Sequence, residues 1–344
     1  MMEKRHYDYA ILGAGASGLS LAYRMVHDPF FDNMRIAIIE PHAKDENDRT
    51  WCYWEQGEGY FDAVVRKHWS KIQFYSKSLD LQQSITPYRY KMISGLDFYQ
   101  YTIPKIRAAT NVDFIKGKVE KVYDHGAHVE IISASDNLSA DIVFKSYPSV
   151  DRIDPQEHIY VDQHFKGYYI KTGSRQFDPE VATFMDFRID QSGDVRFLYV
   201  LPTSDTEALV EVALFSNQLL AQSDYDKILT DYISDYLQLS HYDIVEEEFG
   251  IIPMTTYPFT DHNTERVIHI GTGGGIVKAS SGFAFNRVQR HSDQIIECIK
   301  ANKSLSHSYD GLHGRHLFYD KVMLHAILRN GVSGEEVFTN LFAK

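Results

Sequence analysis

Residues 7–25 read YDYAILGAGASGLSLAYRM: an apolar hexapeptide, a glycine-rich turn and a second apolar run follow one another without a gap. Tyr7–Leu12 has the length and side chains of a buried strand, and Ser17–Met25 those of the helix that follows. Gly13, Gly15 and Gly18 stand between them in GAGASG. In such a turn the first glycine permits the bend and the second lets the backbone approach a pyrophosphate. The third lets the helix pack closely on its strand. The helix start then offers unpaired N–H groups to phosphate oxygens. A further apolar run, Arg35–Glu40 (RIAIIE), ends on an acid, and a carboxylate there can accept the ribose hydroxyls of an adenosine. Strand, glycines, helix and acid in this order predict a dinucleotide site on Gly13, Ala14, Gly15, Ser17, Gly18 and Glu40. The motif alone does not choose between FAD and NAD.

Beyond this opening unit the pattern changes. Lys71–Ile93 alternates in the manner of antiparallel strands, and a helix is expected from about Leu96, with Pro104 kinking or ending it. Lys118–Val122 and His128–Ile132 read as a strand pair. Between Tyr160 and Phe215 the runs YYIKT, ATFMDFRI, VRFLYVL and ALVEVALF predict an antiparallel sheet that walls a substrate site. Asp224–Leu239 is helical, and a strand at Val267–Ile270 leads into a second glycine-rich turn, IHIGTGGG. Helices near Ser292–Lys300 and Leu312–Leu328 close the chain. The expected fold is α/β. A Rossmann-like FAD/NAD(P)-binding domain (1–60, 100–148 and 245–300) is interleaved with an antiparallel β-sheet substrate domain (61–99 and 149–244). A helical C-terminal segment (301–344) follows.

Composition narrows the class. The formal charge of −12 over 344 residues argues against a nucleic-acid partner, which needs clustered Lys and Arg. Two cysteines, Cys52 and Cys298, make no disulfide framework and suit a reducing cytoplasm. The N-terminus enters a strand directly, without a signal-peptide pattern, and no apolar window is long enough to cross a bilayer. Membrane contact is therefore expected to be peripheral, on the inner face. The 23 Tyr, 20 Phe and 3 Trp suit a cavity for a long apolar ligand. On Asp224–Leu239 the apolar face from Tyr225 to Leu237 is expected to pack in the core, because Asp226, Asp231 and Asp235 oppose it and anionic lipid would repel them. His313, His316 and Asp320 have helical metal-ligand spacing, but among sixteen histidines such coincidences are common, and no metal is expected.

The second glycine turn resembles the late turn that many FAD proteins of the glutathione-reductase-like superfamily bring back to the ribityl chain and flavin. Those proteins usually carry Asp after the first glycine. Here Thr272 stands between Gly271 and Gly273, and its hydroxyl can bond a ribityl oxygen without charge. Five segments, in order across about residues 7–300, resemble the lycopene cyclase family. They are Asp48–Glu55 (DRTWCYWE), Met185–Asp186 in TFMDFR, Leu209–Ala213 (LVEVA), Phe249–Met254 (FGIIPM) and Ile270–Phe283 (IGTGGGIVKASSGF).

That resemblance implies reduced FAD, with NAD(P)H as reductant, and a tunnel for lycopene whose ψ end groups close into β-rings without net redox change. It adds Arg49, Gly271, Thr272 and Gly273 to the cofactor site, and it implies Glu211 as the catalytic acid with Asp186 as acid–base partner or orienting group. One charge inside an apolar strand, Glu211 shares a face with Leu209, Ala213 and Phe215. The sequence departs from the family in two places. The catalytic motif usually has two adjacent acids, whereas Val212 and Ala213 follow Glu211. Relatives generally continue with further helices beyond the segment that ends here at Lys344, so those helices are not expected to close the tunnel. The competing class is a flavin monooxygenase or halogenase. Such enzymes tend to carry Asp-Gly before the substrate sheet and Asp in the late turn; ADIVFKS (Ala140–Ser146) and Thr272 provide neither.

Overall fold

The computed structural model describes residues 5–134, 136–148, 153–154, 157–306, 308, 315–328 and 333–344. β1 (Arg5–Leu12), α1 (Ala16–Val26) and β2 (Ile36–Glu40) form the opening unit. β3 (Thr50–Gln56), β4 (Lys67–Trp69), β5 (Lys71–Tyr75), β6 (Asp80–Ser84) and β7 (Tyr88–Ser94) precede α2 (Gly95–Arg107). β8 (Val112–Lys116), β9 (Val119–Asp124), β10 (Val129–Ser133) and β11 (Asn137–Lys145) come next. They are followed by β12 (Tyr160–Lys171), β13 (Val181–Asp186), β14 (Val195–Pro202) and β15 (Glu207–Ser216). Then come α3 (Gln222–Asp235), β16 (Asp243–Thr255), β17 (Val267–His269), α4 (Phe285–Lys300), α5 (Arg315–Leu328) and α6 (Gly334–Phe342).

The first sheet has the order β8-β2-β1-β11-β10-β9, with β17 also on β11. Its centre is parallel, and all five residues of β2 are buried, as a strand covered on both faces requires. β10 pairs with the first half of β11 and β17 with the second, so the late strand rejoins the sheet beside the first glycine turn. α1 packs against the sheet, α2 and α4. Ser94 caps α2 by accepting the Asp97 N–H at 3.1 Å. α2 continues through Pro104 to Arg107, so the proline does not end the helix where it stands.

The second sheet has the order β16-β12-β15-β14-β13-β5-β6 and is antiparallel except between β13 and β5. One face packs over Tyr90, Met92 and α6; α3 covers the other through buried Tyr225, Leu229, Tyr232 and Ile233. A small sheet, β3-β7-β4, bridges the two large ones.

Two domain boundaries differ from expectation. β16 pairs along its length with β12, so 243–255 belongs to the antiparallel sheet and the return to the nucleotide sheet begins only at β17. The segment 61–99 divides: β5 and β6 join the large antiparallel sheet while β4 and β7 pair with β3. Both differences come from long-range pairing, which local alternation does not encode. No helix among the described residues is long and apolar enough to cross a membrane.

Candidate active site

The first glycine turn is shaped by close approach. Gly13 has φ +104°, a conformation that side chains avoid, and a Cβ there would lie 2.2 Å from Ser146 Oγ. A Cβ on Gly18 would lie 1.9 Å from the Gly13 carbonyl oxygen, so only glycine lets α1 start against its strand. Gly15 differs: no described atom comes within 4 Å of a Cβ placed on it, and it faces open space. It is also the N-cap of α1 and provides no side-chain cap, which leaves the first N–H groups of the helix to a ligand. Glu40 is buried at the end of β2, where Oε2 accepts the Ala14 N–H at 2.6 Å and Oε1 the His42 N–H at 3.0 Å.

The late turn meets this loop directly. Gly271 has φ +58°, and a Cβ on it would come 2.7 Å from Ser17 Oγ. The Gly273 N–H donates to Ser146 O at 3.0 Å, and Ser146 Oγ donates to Leu12 O at 2.8 Å. Gly13, Ala14, Gly15, Ser17, Gly18, Glu40, Gly271 and Gly273 therefore form one locus, although over 250 positions separate its ends. Thr272 leaves it exposed, on the wall of a cavity of about 310 Å³. Arg49 is also exposed and lines the cavity.

The same cavity is lined by Glu211 and Glu248. Glu211 on β15 and Glu248 on β16 are both register partners of Gly167 on β12, which lies between them. Two strand spacings put their Cα atoms roughly 10 Å apart, and the side chains meet over the glycine. A Cβ on Gly167 would sit 3.3 Å from Glu211 Cβ and 3.2 Å from Glu248 Cγ. The carboxyls are turned toward each other closely enough to couple electrostatically, and two buried carboxylates so placed would repel, which favours a proton on one of them. Burial pushes the Glu211 carboxyl well above the ordinary carboxylate range, and the charge and hydrogen bond of Glu248 push it further. Glu248 is raised by burial too, but its bonds from Glu211 and Thr50 pull the other way. Burial and the Thr50 bond to Glu248 together favour the proton on Glu211.

Thr50 Oγ1 donates to Glu248 Oε2 at 2.7 Å and accepts from the Tyr169 hydroxyl, also at 2.7 Å. Glu248 Oε1 is buried and receives no hydrogen bond from the described residues. Around the pair lie Trp51, Tyr90, Tyr199, Phe283 and Phe285. Tyr199 is the cross-strand partner of Glu211, and burial keeps its hydroxyl and the Cys52 thiol neutral. Among the described lining residues, Arg49 is the only basic one. A positive charge formed in this cavity would meet π faces and a carboxylate.

Asp186 does not share the cavity. It is fully buried on the α3 side of the sheet, where it accepts from Arg188 Nε at 2.9 Å and from the Tyr232 hydroxyl at 2.7 Å. Its oxygens are committed to an ion pair, and the role of acid–base partner expected for it has no support in this position. Glu248, Thr50 and Gly167 are the site residues that sequence reasoning does not single out. Of the candidate metal triad, His313 lies outside the described residues, and Asp320 is bonded to Lys278 and to Ser280 Oγ.

Solved structures with this architecture are flavoenzymes. A geranylgeranyl bacteriochlorophyll reductase-like protein of Thermoplasma acidophilum superposes with a TM-score of 0.72 at 12% identity, covering 98% of this chain and 91% of its own. CtdE, solved with FAD and a substrate, gives 0.68 at 11% identity over 96% and 92%. The FAD-dependent chondrochloren halogenase CndH, from a myxobacterium, gives 0.64 at 14% identity over 98% and 90%. At such identities the likeness is one of fold, and the fold is that of FAD-dependent oxidoreductases and halogenases. No curated protein matches the sequence. A family model described as lycopene cyclase protein matches residues 8–342, nearly the whole chain. The chain belongs to the lycopene cyclase family.

Proposed function

We propose that this chain is a flavoprotein carotenoid cyclase that closes the ψ end groups of lycopene into β-rings. The observation that carries the reading is a carboxyl, Glu211, that lines an aromatic cavity reaching the late glycine turn and that burial pushes toward its protonated form. Donation of its proton to the terminal double bond leaves a tertiary cation, which the first polyene double bond attacks. Loss of a proton then completes the ring, with no net redox change. Few side chains can protonate an alkene near neutral pH, and a carboxylic acid kept neutral by burial is one of them.

The cofactor residues fit FAD. Gly13, Ala14, Gly15, Ser17 and Gly18 would face the pyrophosphate and Glu40 the adenosine ribose. Gly271, Thr272 and Gly273, with Arg49, would face the ribityl and flavin end. Bound in its reduced form, with NAD(P)H as the primary electron source, FAD would supply an electron-rich ring beside the developing cation. The aromatic walls exclude water, which would otherwise capture the cation. So apolar a substrate calls for delivery from a membrane surface that the protein contacts peripherally.

The test is Glu211→Gln, which keeps the shape and removes the donor. With chemically reduced flavin and no oxygen, β-ring formation measured by pigment chromatography should fall at least about a hundredfold while flavin absorbance is kept. Near-normal cyclisation would refute the assignment. Consumption of NADPH and oxygen in proportion to product would move the protein to the monooxygenase class.

A further inference from the structure

A cyclase needs a base as well as an acid. The proton lost in the last step leaves the ring carbon that joins the polyene, not the carbon that was protonated. One candidate is the Glu211 carboxylate left by the first step. The geometry offers a second group, placed differently. Glu248 enters the cavity from β16, on the far side of β12 from Glu211 and across the gap left by Gly167, and lines the cavity that Glu211 lines.

We propose that Glu248 is the base that takes the ring proton and returns it to Glu211, so that the two carboxyls recycle one proton through each turnover. This rests on the cyclase reading and adds to it a second catalytic residue. Before turnover Glu211 is protonated and Glu248 is the carboxylate. The Glu211 O–H bond breaks as a C–H bond forms on the terminal alkene, and the charge develops on the dimethyl carbon. The π pair of the first polyene double bond makes the new C–C bond and moves the charge to the methyl-bearing ring carbon. The junction C–H bond then breaks, its electron pair becomes the ring double bond, and its proton passes to Glu248. Transfer from Glu248 to Glu211, which face each other over Gly167, restores the first state. No proton and no electron is consumed.

Three observations argue for this division of labour. Thr50 donates to Glu248 Oε2, and a hydroxyl donor stabilises a carboxylate. Tyr169 donates in turn to Thr50, which fixes the Thr50 hydroxyl proton toward Glu248. Glu248 Oε1 has no hydrogen-bond donor among the described residues, so this oxygen is free to accept a proton. No comparable donor holds Glu211 in its charged form among the described residues.

The experiment separates the two half-reactions by isotope. Lycopene in detergent is incubated in deuterium oxide with the reduced, flavin-loaded enzyme, and both product and recovered lycopene are analysed by mass spectrometry. Glu248→Gln should retain flavin and lose β-ring formation at least about a hundredfold. Recovered lycopene should nonetheless gain deuterium at its terminal double bond, because protonation by Glu211 still occurs and reverses. Glu248→Asp, which keeps a carboxylate, should recover part of the cyclisation. A Glu248→Gln variant that cyclises at the native rate overturns the proposal. So does one that loses exchange together with cyclisation, which would make Glu248 a support for the acid and not the base. The Glu211→Gln control should lose both activities. Exchange by that control would overturn the reading of Glu211 itself, a failure distinct from that of Glu248.

Discussion

Gly167→Ala adds a single methyl group between the two carboxyl stems and touches neither carboxyl. The new Cβ would lie 2.8 Å from Leu209 Cδ1, 3.2 Å from Glu248 Cγ and 3.3 Å from Glu211 Cβ. The leucine methyl can rotate away. The two glutamate stems belong to the strands on either side of β12 and must each give by a few tenths of an ångström, in opposite directions. Overpacking of this kind costs about 1–3 kcal/mol, of which alanine's better strand statistics return roughly 0.5–1. A net loss of about 1–2 kcal/mol should appear in urea unfolding. The larger effect is on chemistry. A hydrogen bond to a charged group contributes about 1.5–3 kcal/mol, so loosening a carboxyl contact of that order should slow cyclisation about tenfold to a hundredfold. Glu248 is one of the causes that hold the Glu211 carboxyl up, so the variant should also lose its active acid at lower pH than the native enzyme. Cyclisation by reduced enzyme, followed across pH with flavin content as control, reads both effects. A variant with native rate and native pH profile would show that the carboxyls do not need each other.

Other perturbations separate the cofactor cradle from the acid site. Gly15→Val fills the open space beside the helix start and should abolish flavin absorbance in the purified protein; full retention would place the cradle elsewhere. Asp186→Asn removes the anion that Arg188 and Tyr232 hold, and should cost about 3 kcal/mol in thermal unfolding while folded molecules cyclise normally. Loss of cyclisation in a folded Asp186→Asn protein would return that residue to the catalytic list. Glu211→Gln should raise stability at neutral pH. The folded state holds a proton that the unfolded chain releases above about pH 4.5, so native stability falls as pH rises through that window and the variant's does not. Equal stability of the two proteins at pH 7 would mean that Glu211 is not held protonated.

The nucleotide unit was legible because its constraints are local. A strand that must bend at Gly13, and a helix that must start against Gly13 O at Gly18, impose glycine within a few residues of sequence. Glu211 was legible for a similar reason, as one charge in a strand otherwise apolar from Leu209 to Phe215. Asp186 misleads because strand alternation fails at that point. Phe184 and Met185 both point into the core beneath the cavity, and the pairing of β13 shifts register between Thr183 and Asp186. That one irregularity turns Asp186 to the α3 side, where regular alternation from Phe184 would have kept it on the cavity side.

Glu248 was hidden by its surroundings. Glu246, Glu247 and Glu248 stand in a row, and nothing local distinguishes the third: Glu247 is exposed, and Glu246 is half-buried and accepts from Asn47. What separates Glu248 from its neighbours is a pairing between β16 and β12 made across some eighty residues, together with a glycine on β12 opposite it. The same pairing explains how the site has two acids although only one stands at the expected motif. Val212 follows Glu211 and faces the core beneath α3, so an acid at that position would be buried away from the cavity. An acid two strands over, facing Glu211 across Gly167, reaches the cavity and lies close enough to share a proton. A second carboxyl beside Glu211 along the strand points away from it, whereas one across the sheet can point toward it. The sheet register, more than the motif, therefore decides which acids can act together.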